Sequence, residues 1–71
     1  MPKLLSSKQI INILENKDFV FISQKGSHMK FRKNGSKSLT VIVPANKKEI
    51  PVGTLHSIIR QSDLSKKDFG V

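Results

Sequence analysis

The residue best suited to chemistry in this chain is His28, which follows the turn Lys25-Gly26-Ser27 at the start of a predicted strand. An imidazole suits proton transfer near neutral pH better than any other side chain. Strand alternation places His28 on one face with Lys30 and Arg32, whose cations can hold a phosphate. The N–H groups of the turn can face the same anion. The alternative is that His28 is an exposed strand residue with no functional role. For a histidine chosen at random, that is the better interpretation.

These residue types suit the cleavage of RNA. A base removes the proton from a 2′-OH, which attacks the neighbouring phosphorus, and an acid protonates the leaving 5′-oxygen. Cations stabilise the charge that builds on the phosphorane, and the route requires no metal. The same basic face would also serve a module that binds structured RNA without cutting it, because duplex RNA is recognised mainly through phosphates and 2′-hydroxyls.

Other cations and aromatic side chains are further candidates for contact with RNA, and each has a structural alternative. Lys47 and Lys48 precede a predicted helix, whose N-terminus attracts phosphate; a solvated loop is nearly as good an interpretation. His56 falls off the apolar stripe of that helix, so a solvated surface histidine is expected. One or both of Phe19 and Phe21 are expected to face the helices, so packing is expected rather than stacking on bases. Three more lysines at the two hairpin ends are expected to extend the basic surface around His28: Lys25, Lys33 and Lys37.

Charge is the strongest feature of the composition. Thirteen Lys and Arg residues against five Asp and Glu give the 71-residue chain a net charge of +8 and a pI near 10.2. Such basicity favours a phosphate-binding surface and attracts acidic partners. Without cysteine, and with few histidines and carboxylates, no metal or cofactor is predicted. No apolar run approaches the ~20 residues of a membrane span, so a soluble cytoplasmic protein is expected.

The elements that must position these residues follow from local signals. A capping box, Ser6 with Gln9, begins the first helix, and a second one, Ser65 with Asp68, begins a short terminal helix. Asn34-Gly35 signals a hairpin turn. The predicted elements are a helix over 6–16, strands over 19–22, 28–33 and 38–43, a helix from 51 and a short helix from 65. The expected fold is an α+β sandwich of two helices on a three-stranded antiparallel meander, in one domain, 1–71.

The motifs also resemble a known family. The run Gln24-Lys25-Gly26-Ser27-His28 is followed by Met29-Lys30-Phe31, Val41-Ile42-Val43-Pro44 and Gly53-Thr54-Leu55. Over about 6–69 this combination resembles the HicA family of toxins. The resemblance implies a double-stranded-RNA-binding-like fold, an endoribonuclease that cuts mRNA and arrests growth, and a HicB-type antitoxin that covers the site.

The resemblance also assigns residues. The catalytic histidine of the family falls on His28, and the glycine of the preceding turn falls on Gly26. Many relatives carry a second histidine shortly after the proline of the third strand, where this chain has Asn46. Asparagine can hydrogen-bond a phosphate or ribose but cannot transfer protons, so Lys47 or solvent would supply the acid. The predicted RNA-binding residues are Lys25, Gly26, Ser27, Lys30, Arg32, Asn46, Lys47 and Lys48.

Overall fold

A computed structural model describes residues 4–71, so the predicted domain of 1–71 includes three residues outside the described part. The model confirms the α+β fold and the predicted order of elements. The elements are α1 (Ser7–Asn16), β1 (Val20–Lys25), β2 (His28–Lys33), β3 (Leu39–Pro44), α2 (Val52–Ser62) and a C-terminal 3-10 helix (Lys66–Phe69).

Both predicted capping boxes are present. The Ser6 hydroxyl accepts the N–H of Gln9, while the Gln9 side chain accepts the N–H of Ser6. Ser65 and Asp68 exchange the same pair of bonds at the start of the 3-10 helix. These bonds satisfy N–H groups that have no partner inside a helix. The signals therefore placed both starts correctly.

The three strands form an antiparallel sheet in the order β1-β2-β3. Lys25 pairs with His28 across a two-residue turn in which Gly26 has a φ of +59°. Ser27 has no positive φ, and a positive φ at the first central position alone is characteristic of a type II′ hairpin turn, for which glycine is favoured. The hairpin predicted at Asn34-Gly35 also forms, but its connection has five residues, 34–38, and neither Asn34 nor Gly35 has a positive φ. The Asn-Gly signal thus predicted the reversal and not the turn geometry.

β1 differs most from its prediction. The strand begins at Val20 rather than at Phe19 and continues to Lys25, with a register shift between Phe21 and Ser23. Phe19 is buried in the core, whereas Phe21 is half exposed and packs edge-on against Phe31, with ring centroids 5.8 Å apart. Only one of the two phenylalanines is therefore a core residue.

The sheet has two unlike faces, which are set by the alternation of β2. The covered face carries Phe31, Val41 and Val43, which are buried beneath the helices. The open face carries His28, Lys30 and Arg32. The remaining core side chains on the covered face come from the loops, both α-helices and the 3-10 helix: Leu5, Ile10, Leu14, Phe19, Ile50, Leu55, Ile58 and Phe69.

Candidate nucleic-acid interface

The open face is organised in cross-strand rows, because residues directly opposite each other in an antiparallel sheet share a face. His28 stands in the row nearest the Gly26-Ser27 turn, between Lys25 of β1 and Pro44 of β3. Lys30 forms the next row with Ser23 and Ile42, and Arg32 forms the third with Val20 and Thr40. The open face thus brings His28, Lys25, Lys30 and Arg32 onto one surface, as the sequence predicted.

The cations on this surface are spread along β2. His28 and Arg32 are exposed, and Lys30 is half-buried. Arg32 is the fourth residue after His28 in the strand, a span of about 14 Å. The face therefore presents a proton-transfer group at one end and positive charge along its length, which suits an extended polyanion better than a small one.

The Gly26-Ser27 turn is held in place on both sides. Within the hairpin, Gln24 Nε2 donates to the Gly26 carbonyl oxygen at 3.0 Å. From the other side, the N–H of Ala45 donates to the Ser27 carbonyl oxygen at 2.7 Å. The turn that carries His28 is consequently fastened to the segment after β3, which contains the other predicted RNA-binding residues.

That segment, the lysine loop (residues 46–49), runs exposed between two buried side chains, Ala45 and Ile50. Ser7 fixes it, because the N–H of Lys47 donates to Ser7 Oγ at 2.9 Å and the Ser7 N–H donates to the Lys47 carbonyl oxygen at 2.9 Å. The Ser7 hydroxyl in turn donates to the Pro44 carbonyl oxygen. Ser7 is buried and its hydrogen bonds are part-buried, so this small network is partly shielded from water and ties the loop to α1.

Asn46 adopts a left-handed backbone with a φ of +58°. Asparagine tolerates this conformation better than most side chains do. The residue at this position therefore suits the local backbone, whatever it contributes to RNA. Asn46, Lys47 and Lys48 all lie at the same end of the sheet as His28, because His28 pairs with Pro44.

Two predicted cations do not lie near His28. Lys33 pairs with Leu39 at the opposite end of β2, about 17 Å along the strand. Its Nζ lies 5.9 Å from the centroid of the Phe19 ring, and Lys37 Nζ lies 4.0 Å from Asp63 Oδ2. The expectation that Lys33 and Lys37 surround His28 was wrong, because the two hairpin turns lie at opposite ends of the sheet. His56 is exposed on α2, as expected of a surface histidine.

Sequence reasoning missed the contribution of α1. The bonds from Ser7 to the lysine loop bring the first turn of α1, including the exposed Lys8, beside Lys47 and Lys48. Some 40 residues separate Ser7 from Lys47, and no local pattern joins them. Within residues 4–71, no group of three or more His, Cys, Asp and Glu side chains is arranged to hold a metal ion.

Comparison with known proteins adds the decisive observation. The family model described as the HicA toxin of bacterial toxin-antitoxin matches residues 7–64, which are 58 of the 71 residues. The chain belongs to the HicA toxin family. A search of curated proteins found no match. The match covers α1, the whole sheet and α2, and therefore every residue of the interface described above.

As a HicA family member, the chain is the toxin of a toxin–antitoxin pair, and an antitoxin is its partner. No helix within residues 4–71 is long and apolar enough to cross a membrane.

Proposed function

We propose that this HicA toxin is a metal-independent endoribonuclease that cleaves mRNA in the cytoplasm, with His28 as its catalytic acid/base. The observation that carries the proposal is an exposed histidine at the end of a basic sheet face in a member of this family. In this mechanism His28 takes the proton of a 2′-OH, which then attacks the adjacent phosphorus and forms a 2′,3′-cyclic phosphate.

The cations around His28 have separate tasks in the proposal. Lys25 and Lys30 are the open-face cations nearest to His28 in the sheet register, so they would stabilise the charge that builds on the phosphorane. Arg32 would bind a phosphate farther along the strand. The N–H groups of Gly26 and Ser27 would help to orient the scissile phosphate.

The proton for the leaving 5′-oxygen needs a second source. Asn46 cannot supply it, although its amide can hydrogen-bond a phosphate or ribose. Lys47, next to it in the lysine loop, can donate a proton, and so can solvent. One positioned acid or base contributes about 10²–10⁴-fold to a rate, so an enzyme with His28 alone would be slow but functional.

The test is incubation of the purified protein with an end-labelled single-stranded RNA in excess EDTA. The chain offers a matched control, because its two histidines are both exposed but only His28 lies on the open face. We expect His28→Ala to lose cleavage by about 10²-fold or more, whereas His56→Ala should cleave like the wild type. Circular dichroism of both variants checks that the fold is intact.

Three outcomes would contradict the proposal. Full activity of a folded His28→Ala protein would remove His28 from the mechanism. Cleavage that EDTA abolishes would show that the reaction depends on a metal. Tight binding of duplex RNA without strand scission would favour the alternative, a non-catalytic module that recognises structured RNA through phosphate contacts.

We further propose that the antitoxin is an acidic protein of the HicB type that covers the open face. The net charge of +8 provides the attraction, and charge complementarity also speeds association. Added antitoxin should therefore displace labelled RNA from the toxin. If RNA and antitoxin bound together, each with undiminished affinity, inhibition by covering the site would be excluded.

A further inference from the structure

A pocket of about 490 Å³ lies at the His28 end of the sheet, between the first turn of α1 and the lysine loop. Its volume falls within the ~300–1,000 Å³ that is usual for small-molecule sites. The side chains that matter for its chemistry are Lys8, Ile11, Met29, Asn46, Lys47 and Lys48. Only the last three were predicted from the sequence to contact RNA.

The inner wall of the pocket is apolar. Ile11 of α1 and Met29 of β2 are half-buried and pack against the core, so each presents part of its side chain to the pocket. A methionine side chain is flexible and polarizable, and it adapts to flat or irregular apolar partners. This wall offers a surface for the face of a base rather than for a phosphate.

The outer part of the pocket is cationic. Lys8, Lys47 and Lys48 are exposed, and neither of the two ion pairs among residues 4–71 involves them. Three like charges around one pocket repel one another, and an anion that binds among them relieves the repulsion. Apolar and cationic walls together match a nucleotide, which has an apolar face and a charged phosphate.

The pocket is also joined rigidly to the turn that carries His28. Ser7 fixes the lysine loop to α1, and the Ala45–Ser27 hydrogen bond fixes the residue before that loop to the turn. His28 and Met29 are consecutive residues of β2, so their side chains point to opposite faces of the sheet. RNA that passes His28 on the open face and bends around the end of the sheet therefore reaches the pocket.

We propose that this pocket binds one unpaired nucleotide of the RNA substrate, next to the scissile phosphate. The base lies against Ile11 and Met29, and the adjacent phosphates lie near Lys8, Lys47 and Lys48. The inference rests on the proposed ribonuclease function, and it adds a substrate class to it. Because a base can enter a pocket only when it is unpaired, the substrate must be single-stranded beside the cleavage position.

Met29 provides a direct probe of this pocket, since the chain has two methionines, Met1 and Met29. Protein with ¹³C-labelled methionine methyl groups is titrated with a short single-stranded RNA carrying 2′-O-methyl groups, which block cleavage. We expect the Met29 methyl resonance to shift with this RNA. It should not shift with inorganic phosphate or with the same RNA annealed to its complement.

Lys8→Ala gives the matched functional test, with Lys67→Ala as its control. Both lysines are exposed, but Lys67 lies beside Asp68 in the 3-10 helix, near the opposite end of α1. We expect Lys8→Ala to weaken binding of single-stranded RNA about tenfold. Its plot of log affinity against log salt should become less steep by about 0.7, while Lys67→Ala changes affinity by less than about twofold.

Cleavage of unmodified RNA is measured in parallel, so that failure of the pocket and failure of the ribonuclease proposal give different results. If the wild type cleaves RNA while the Met29 resonance stays unchanged and Lys8→Ala behaves like Lys67→Ala, the pocket is not a nucleotide site. A Met29 shift of equal size with duplex RNA would also overturn the assignment. If the wild type neither binds nor cleaves RNA, the ribonuclease proposal itself fails.

Discussion

The two faces of the sheet are built from the same three strands and have opposite chemistry. Phe31 is 1% exposed beneath the helices, whereas its neighbour Arg32 is exposed on the open face. Val41 is fully buried, and Thr40 beside it is exposed. Because side chains alternate along a strand, one strand can supply the core and a charged surface at once. In so small a domain, this division lets most of the stability reside on one face and leaves the other free for charge.

The small size of the domain limits how much core packing it can lose. The free energy of unfolding of a domain of this size is only on the order of 5 kcal/mol, so the loss of one large core side chain can unfold it. Charges on the open face are solvated and contribute little to packing. Substitutions of the fully buried residues on the covered face should therefore act on folding, and those on the open face should act on RNA binding.

The largest effect is expected for Phe31→Ala. Removing a fully buried phenylalanine from a core costs about 3–5 kcal/mol, which approaches the whole free energy of unfolding. Arg32→Ala, one residue away on the open face, should change the free energy of unfolding by no more than about 0.5 kcal/mol. Urea denaturation followed by circular dichroism measures both. Equal losses of stability in the two variants would mean that the faces are not separate.

The next effect is expected for binding. Replacing Lys30 and Arg32 together by Ala should weaken RNA binding by about 3 kcal/mol, since each removes a hydrogen bond to a charged group. The slope of log affinity against log salt should fall by about 0.7 for each cation. Fluorescence anisotropy of labelled RNA at several salt concentrations measures both quantities. The control is Lys66→Ala with Lys67→Ala, which removes the same charge from the 3-10 helix; if it matches the open-face variant, only net charge matters.

Ser7→Ala should have an intermediate effect, and it should lower both the stability of the fold and the affinity for RNA. The change removes the hydroxyl that accepts from Lys47 N–H and donates to the Pro44 carbonyl oxygen, so both groups lose a partner in a part-buried network. We expect a loss of about 1–3 kcal/mol in the free energy of unfolding, together with weaker RNA binding. Ser57→Ala is the control, because that hydroxyl bonds only within α2 and is not buried. If Ser7→Ala changed neither the stability nor the RNA affinity, the lysine loop would not depend on its bonds to α1.

The smallest effect is expected for the pH dependence of stability, through Asp68 in the 3-10 helix. The backbone N–H of Ser65, its hydroxyl and Lys17 all contact the Asp68 carboxylate, and they hold the pKa of Asp68 below its ordinary value. Since the folded-state pKa is the lower one, the ionised carboxylate stabilises the fold above about pH 3.9, the unfolded value. This stabilisation is lost as the pH falls through the folded-state pKa.

Denaturation of wild type and Asp68→Asn between pH 6 and pH 2 tests this effect. The variant should lose less stability on acidification, because it lacks the carboxylate that becomes protonated. RNA binding at neutral pH should be the same in both, since Asp68 lies beside Lys17, at the opposite end of α1 from Lys8. A wild-type acid profile that coincides with that of the variant would remove Asp68 as a source of pH dependence.

The sequence by itself determined the helix starts, the turn before His28 and the division of the two faces. Ser6 with Gln9 and Ser65 with Asp68 set helix starts through bonds that span three residues. The alternation of β2 fixed the sides of His28 and Phe31, because successive side chains in a strand point to opposite faces. Gly26 marked the turn before His28, since its positive φ is easily adopted by glycine.

Only the tertiary structure decided which distant segments meet. Lys8 lies beside Lys47 and Lys48 because Ser7 bonds to the lysine loop, about 40 residues away in the chain. The same packing placed Ile11 and Met29 in the wall of one pocket, and it left Lys33 at the far end of the sheet from His28. The physical reason is the distance along the chain. Caps, turns and strand alternation depend on residues that are near neighbours in the sequence, whereas a pocket depends on how the helices pack on the sheet.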